Sequence, residues 1–280
     1  MSRIDEKGYV MLQKKKLFLF DIDGTLALGN QLIDGARELL DYLKQTGKSV
    51  FYITNNSTRR QQDYVDYFAQ WNIAVPEEAF VTAGIITAEY FQKNFADKKI
   101  FLMATPEFTA ELVSRGLYIV ERYEAGIDCV LVCLDRTLTY QKLADACRIL
   151  QDKNVLFYAT NPDLNCPVDF GAIPDCGSIC TMIEQATGRT PKYIGKPEPD
   201  IVEACRRISG HSREETIVIG DRINTDLACA TNAGVDGVLV LSGAVTKEEA
   251  VASGIPYVFE DVQQILDSLL ENKKFCYFSE

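Results

Sequence analysis

A chain of 280 residues, 47% hydrophobic and 25% charged, has the balance of a soluble globular protein and can fill two ordinary domains or one large core. Its formal net charge of −11 argues against a nucleic-acid backbone or an anionic membrane as the main partner; a small phosphorylated ligand stays open, because a local patch can be positive on an acidic protein. The single histidine, His211, lies in the polar stretch Gly210-His211-Ser212-Arg213, so chemistry built on several histidines is set aside and His211 is expected at the surface.

The first fifteen residues are polar and irregular and read as an arm or a partly disordered stretch. Lys14, Lys15 and Lys16 precede only four apolar residues, too few for a signal-peptide core, and no stretch approaches a membrane span, so a cytoplasmic protein is expected. Residues 16–20 are the first of seven short β-rich apolar runs; the others are 49–53, 99–103, 129–133, 155–158, 216–219 and 238–241. Between the first two, Ile33, Ala36, Leu39, Leu40 and Leu43 recur at helical spacing before Gly47. Leu143, Ala146, Cys147 and Leu150 repeat that spacing in mid-chain, as do Ile201, Ala204, Cys205 and Ile208 after Pro199. Continuous apolar strands joined through amphipathic helices predict an α/β fold, a doubly wound and mostly parallel sheet. The nine cysteines, an odd number with no C-x-x-C pair, read as buried reduced thiols; Cys176 and Cys180 come nearest to a metal pair, but no second pair completes a zinc site.

Chemistry-bearing residues cluster where the apolar runs end, which is where open α/β sheets bind ligands. Asp21-Ile22-Asp23-Gly24-Thr25 follows the first run. In an extended backbone the two carboxylates point to one side about 7 Å apart. A calcium loop of the EF-hand type fails, because Thr25, Leu26 and Leu32 stand where it needs an acidic or Asn residue, Gly and Glu. At the end of the second run, Thr54, Asn55 and Asn56 can donate hydrogen bonds to a phosphoryl group, or Asn56 and Ser57 can cap a helix. Asn161-Pro162-Asp163 follows a strand in the same way and is expected to face the catalytic loops. Lys196, between Gly195 and Pro197 ahead of a helix, can neutralise phosphate charge, and no Walker A pattern surrounds it. Asp221 ends the sixth run and Asp226 lies about one helical turn on; with Asp21 they suit a hard cation such as Mg²⁺.

The ordered set DxDGT, strand-end Thr, Lys and GDxxxxD resembles the haloacid-dehalogenase-like phosphatases over nearly the whole chain. Ala159-Thr160-Asn161-Pro162-Asp163, Cys176-Gly177-Ser178, Gly195-Lys196-Pro197 and Leu241-Ser242-Gly243 look like its NagD-like, or nitrophenyl-phosphatase, subfamily (class IIA). The resemblance implies a Rossmann-like core, residues 1–83 and 189–280, with an inserted α/β cap, 84–188. It implies Asp21 as a covalent nucleophile and Asp23 as general acid and base. Mg²⁺ is then held by the Asp21 carboxylate, the Asp23 backbone carbonyl and Asp221, with Asp226 steadying it. Thr54 and Lys196 grip the phosphoryl beside Asn55 and Asn56. Asn161, Asp163 and the loop 166–178 are the expected contacts to the leaving group. The implied substrate is a small phosphorylated metabolite, a sugar phosphate or nucleoside monophosphate, and a homodimer through the cap is common in such proteins. A phospho-accepting signalling domain, or an inactive binding protein of the same fold, are the alternatives.

Overall fold

The computed structural model describes residues 11–168 and 170–276. The chain forms two compact units. One runs to Ile53 and takes in Phe68–Phe80 and the chain from Val202; the other comprises Thr54–Tyr67 and Val81–Ile201.

The first unit is built on a sheet whose strand order is Val258–Phe259, Asp236–Val240, Thr216–Gly220, Leu17–Phe20, Ser49–Thr54 and Phe80–Thr82. Leu17–Phe20 (β1) is fully buried and pairs in parallel with both neighbours, Phe20 standing opposite Ile219 and Tyr52. Its continuous apolar sequence is what a strand covered on both faces requires. The predicted helix begins later than its periodicity suggests: Gly35, at φ 78°, turns the chain into Ala36–Gln45, leaving Ile33 outside. Ala36, Leu39, Leu40 and Leu43 are its buried face, and Leu39→Ala is worth about 2–5 kcal/mol of stability. The helix expected after Pro199 is Asp200–Ser209.

Two expectations need correction in this unit. Residues 11–14 are helical, and Leu12 and Lys15 are buried, so they are no arm; residues 1–10 lie outside the described part. The Lys15 ammonium reaches the Glu214 carbonyl at 2.6 Å and pairs with Asp236. His211 is half-buried, with Nε2 3.0 Å from Ser49 Oγ and Nδ1 3.5 Å from the Glu215 carboxylate, which ties down a loop. The Lys16 ammonium, helped by the Ser212 N–H, brings Glu215 down to about 2.

The second unit has its own parallel sheet, in the order Lys192–Tyr193, Leu156–Ala159, Cys129–Val132, Lys99–Met103 and Tyr118–Val120. Helices Ala83–Phe95, Pro106–Ser114 and Tyr140–Ile149 each start on a threonine whose hydroxyl accepts a backbone N–H. Phe101, Val130, Val132, Phe157, Ile179 and Ile183 form a core with Cys176 and Cys180. Burial pushes the Cys133 thiol well above its usual value, as befits an inert thiol. The segment 166–178, expected as a loop, is mostly the antiparallel hairpin Asn165–Val168/Gly171–Pro174 followed by the start of helix Cys176–Thr187. Asp169 lies outside the described residues. Among the described residues, no helix is long and apolar enough to cross a membrane.

Candidate active site

In the first unit the Asp21 N–H continues the β1 ladder, donating to the Ile219 carbonyl at 2.9 Å. The chain then turns: the Ile22 carbonyl accepts the N–H groups of Thr25, Leu26 and Ala27 at 3.3, 2.9 and 3.0 Å, and Gly24 takes φ 93°. The extended geometry expected for Asp21–Asp23 therefore ends at Ile22. The carboxylates that converge are those of Asp21, Asp221 and Asp226, all buried, with one oxygen of each within 4.8 Å of the others. Asp23 is half-buried and not of that group.

Asp221 leaves the end of strand Thr216–Gly220, and its Oδ2 accepts the Ala244 N–H at 2.7 Å. Asp226 sits on a single π-helical turn, Ile223–Leu227, a widening common at functional sites, and accepts the Arg222 N–H at 3.0 Å. Ser242 Oγ donates to the Gly24 carbonyl at 2.7 Å, closing a second loop over the group. Three glycines make room for it. A Cβ on Gly24 would lie 2.8 Å from Asp221 Cγ, one on Gly243 would strike the same carboxylate, and one on Gly220 would strike Asp226. Two like charges at this spacing repel by roughly 3 kcal/mol at an effective dielectric of about 20, so the cluster calls for a counter-cation. The donors are hard oxygens only, which fits Mg²⁺ and not a soft metal.

The second unit gathers Thr54, Asn55, Asn161, Asp163 and Lys196. Lys196 is buried and follows Gly195, whose N–H bonds the Thr160 carbonyl at 2.7 Å. The Asn55 side chain grips the backbone of Lys196 twice: Nδ2 donates to the Lys196 carbonyl at 3.0 Å, and Oδ1 accepts the Lys196 N–H at 2.9 Å. Its other Nδ2 hydrogen goes to Asp163 Oδ2 at 2.8 Å. Asn161, fully buried, donates to the Asn55 carbonyl at 2.9 Å and accepts the Asp163 N–H at 3.1 Å. Both amide donors of Asn55, expected to face a phosphoryl group, are thus engaged with the protein, and Asn161 offers no exposed surface.

Thr54 Oγ1 accepts the Asn56 N–H at 3.1 Å, and Asn56 Oδ1 accepts the Thr58 N–H and hydroxyl at 2.9 and 2.7 Å. Ser57 Oγ accepts the Leu134 N–H at 3.2 Å. The helix-cap alternative for Asn56 and Ser57 is corrected: helix Gln61–Ala69 starts further on, and Asp63 takes the Arg60 N–H there. Sequence reasoning also missed the Ala244 N–H and the clasp of Asn55 on Lys196. The glycines at 24, 220 and 243 were the available signal for the first; nothing local pointed to the second.

The profile of the family described as haloacid dehalogenase-like hydrolase matches residues 18–118, and one described as HAD-hydrolase-like matches 193–265. The acid sugar phosphatase of Staphylococcus aureus is 31% identical over 260 residues, which is 92% of this chain and 99% of that protein. The structure of 4-nitrophenylphosphatase from Thermotoga maritima aligns with a TM-score of 0.86 at 37% identity, over 92% of this chain and 99% of its own. That of a glycerol phosphate phosphatase from Mycobacterium tuberculosis, in complex with magnesium, aligns with a TM-score of 0.82 at 25% identity, over 91% of this chain and 78% of its own.

Proposed function

The chain belongs to the haloacid dehalogenase-like hydrolases and is a phosphatase, and from that premise we propose that it hydrolyses a small phosphomonoester with Mg²⁺ through an aspartyl-phosphate on Asp21. The NagD-like and nitrophenyl-phosphatase resemblance of its motifs is borne out by the structural neighbours. One observation carries the mechanism: three buried carboxylates converge beyond the carboxyl ends of the neighbouring strands Leu17–Phe20 and Thr216–Gly220.

The metal would be held by the carboxylates of Asp21 and Asp221 and the Asp23 backbone carbonyl, with Asp226 steadying it, and when bound it supplies neutralisation of phosphoryl charge. A carboxylate oxygen of Asp21 attacks phosphorus; the O–P bond forms as the bond to the leaving oxygen breaks. Asp23 gives that oxygen its proton. It then takes a proton from the water that attacks the aspartyl-phosphate, which releases inorganic phosphate and restores Asp21. Lys196 and the Thr54 hydroxyl hold the phosphoryl oxygens, and Asn55 and Asn56 shape the loop beside them.

The proposed core is 1–83 and 189–280 and the cap 84–188, the cap excluding water and reading the leaving group. The loops of Asn55 and Lys196 pack on Asn161 and Asp163 within one compact unit. A sugar phosphate or nucleoside monophosphate is the favoured substrate, and the relatives named for sugar and glycerol phosphates support the first of these. We place the protein in the cytoplasm, since the cysteines from Cys129 to Cys229 are all free thiols. A homodimer through the cap is the assembly the resemblance implies.

Turnover of para-nitrophenyl phosphate separates this reading from a phospho-accepting domain, and a panel of phosphomonoesters identifies the substrate class. On that panel, Asp23→Asn is expected to lower kcat/KM for alkyl phosphates by about 10²–10⁴-fold. For para-nitrophenyl phosphate the loss should be much smaller, because nitrophenolate leaves without a proton. Equal losses for both kinds of ester would remove Asp23 from its acid role.

A further inference from the structure

We infer that Asp163 is a positioning residue for Lys196, acting through the side chain of Asn55; this rests on the phosphatase reading above. The inference starts from an amide whose two N–H donors and one acceptor oxygen meet three partners. Asn55 spends one Nδ2 hydrogen and its Oδ1 on the carbonyl and N–H of Lys196, at 3.0 and 2.9 Å. The remaining hydrogen meets the Asp163 carboxylate at 2.8 Å, a charge-assisted bond and the strongest of the three by type.

That bond reinforces an orientation that the Lys196 N–H and carbonyl already require. Turned over, the amide would aim Oδ1 at the Asp163 carboxylate and the Lys196 carbonyl, two acceptors, and Nδ2 at the Lys196 N–H. With Asp163 in place only the observed orientation satisfies all partners. Asn55 is buried, so without the carboxylate a buried donor loses its acceptor, and the amide gains freedom to rotate away from Lys196.

Asp163 is itself held. Its N–H bonds Asn161 Oδ1 at 3.1 Å, its carbonyl accepts the Gly177 N–H at 2.8 Å, and Asn161 Nδ2 ties this loop to the Asn55 carbonyl at 2.9 Å. A Cβ on Gly177 would strike the Pro162 carbonyl, and one on Gly195 would lie 2.6 Å from both Asn55 Oδ1 and the Thr160 carbonyl, so the packing has no slack. A segment expected to read the leaving group therefore holds the backbone of the lysine that grips the phosphoryl.

The test compares Asp163→Ala and Asp163→Asn with wild type on para-nitrophenyl phosphate and on several alkyl phosphates, with inorganic phosphate as inhibitor. Misplacing a phosphoryl-binding group by about 1 Å costs on the order of 10²-fold. Asp163→Ala should lose about that factor in kcat/KM, equally for every leaving group, with phosphate inhibition weakening in step. Asp163→Asn should recover most of the loss, because its carbonyl oxygen can accept the same hydrogen. Wild-type turnover in Asp163→Ala would overturn the inference. So would a loss that varies with the leaving group while phosphate inhibition stays unchanged, which is the mark of a substrate-reading residue, or an Asp163→Asn as impaired as the alanine variant. If Asp163→Ala does not fold, Asp163→Glu carries the same test, its carboxylate being displaced by one methylene. Calorimetric binding of inorganic phosphate reads the Lys196 site without turnover. A wild type that binds phosphate but hydrolyses no ester would thus sink the phosphatase mechanism and leave this test standing.

Discussion

Asp21→Asn is expected to reduce phosphatase turnover by at least about 10³-fold while the protein stays folded, the scale seen when a covalent nucleophile is removed. The carboxamide keeps the size and shape of the carboxylate but has no anionic oxygen to attack phosphorus. The fold should tolerate it. The Asp21 N–H still reaches the Ile219 carbonyl, and replacing one of three crowded carboxylates by a neutral group relieves repulsion with Asp221 and Asp226. The melting temperature should therefore stay at or above that of wild type in the absence of metal. Initial rates on para-nitrophenyl phosphate, with circular dichroism of the same sample, read both quantities. Near-normal turnover in a folded Asp21→Asn protein would show that no aspartyl-phosphate lies on the path.

Metal removal is expected to have an effect of similar size. Chelation with EDTA should bring turnover to background, and Mg²⁺ should restore it. A phosphoryl group brings its own negative charge to a cluster that already carries three carboxylates, so binding without a cation is opposed on every side. Ca²⁺ should restore turnover poorly, because its larger and more flexible coordination shell holds oxygens at about 2.3–2.6 Å, against about 2.0–2.1 Å for Mg²⁺. Asp221→Asn should raise the Mg²⁺ concentration needed for half-maximal rate, since the Ala244 N–H can hold the amide oxygen in place while the charge is lost. Full activity after exhaustive chelation would contradict the roles given to Asp21 and Asp221.

Much of the fold was legible because its signals are local. Residues 17–20, 100–103 and 129–132 are apolar without interruption, which suits strands covered on both faces. The helices at 36–45, 140–149 and 200–209 declared themselves by spacing. Strands of two or three residues, such as Tyr118–Val120, Lys192–Tyr193 and Val258–Phe259, are too short to carry a period and exist through their pairing with longer neighbours. The hairpin at 165–174 was missed because Pro167, Pro174 and Gly171 read as loop residues, whereas both strands of a two-stranded ribbon are edge strands, which tolerate them.

The candidate site divides in the same way. Sequence by itself determined which residues stand at strand ends, because a polar side chain that interrupts an apolar run sits where the strand leaves the core: Asp21, Thr54 and Asp221 were found so, and Lys196 by its place between Gly195 and Pro197 ahead of a helix. Only the tertiary structure decided which of them meet. Asp21 and Asp221 are 200 positions apart in the chain and come together because Phe20 pairs with Ile219 across parallel strands. Asn55 looked like a phosphate donor from its neighbours alone. Its amide turns out to clasp Lys196 and bond Asp163, because the hydrogen-bonding capacity of a buried side chain is taken by whatever the fold packs against it, and those partners lie more than a hundred residues away.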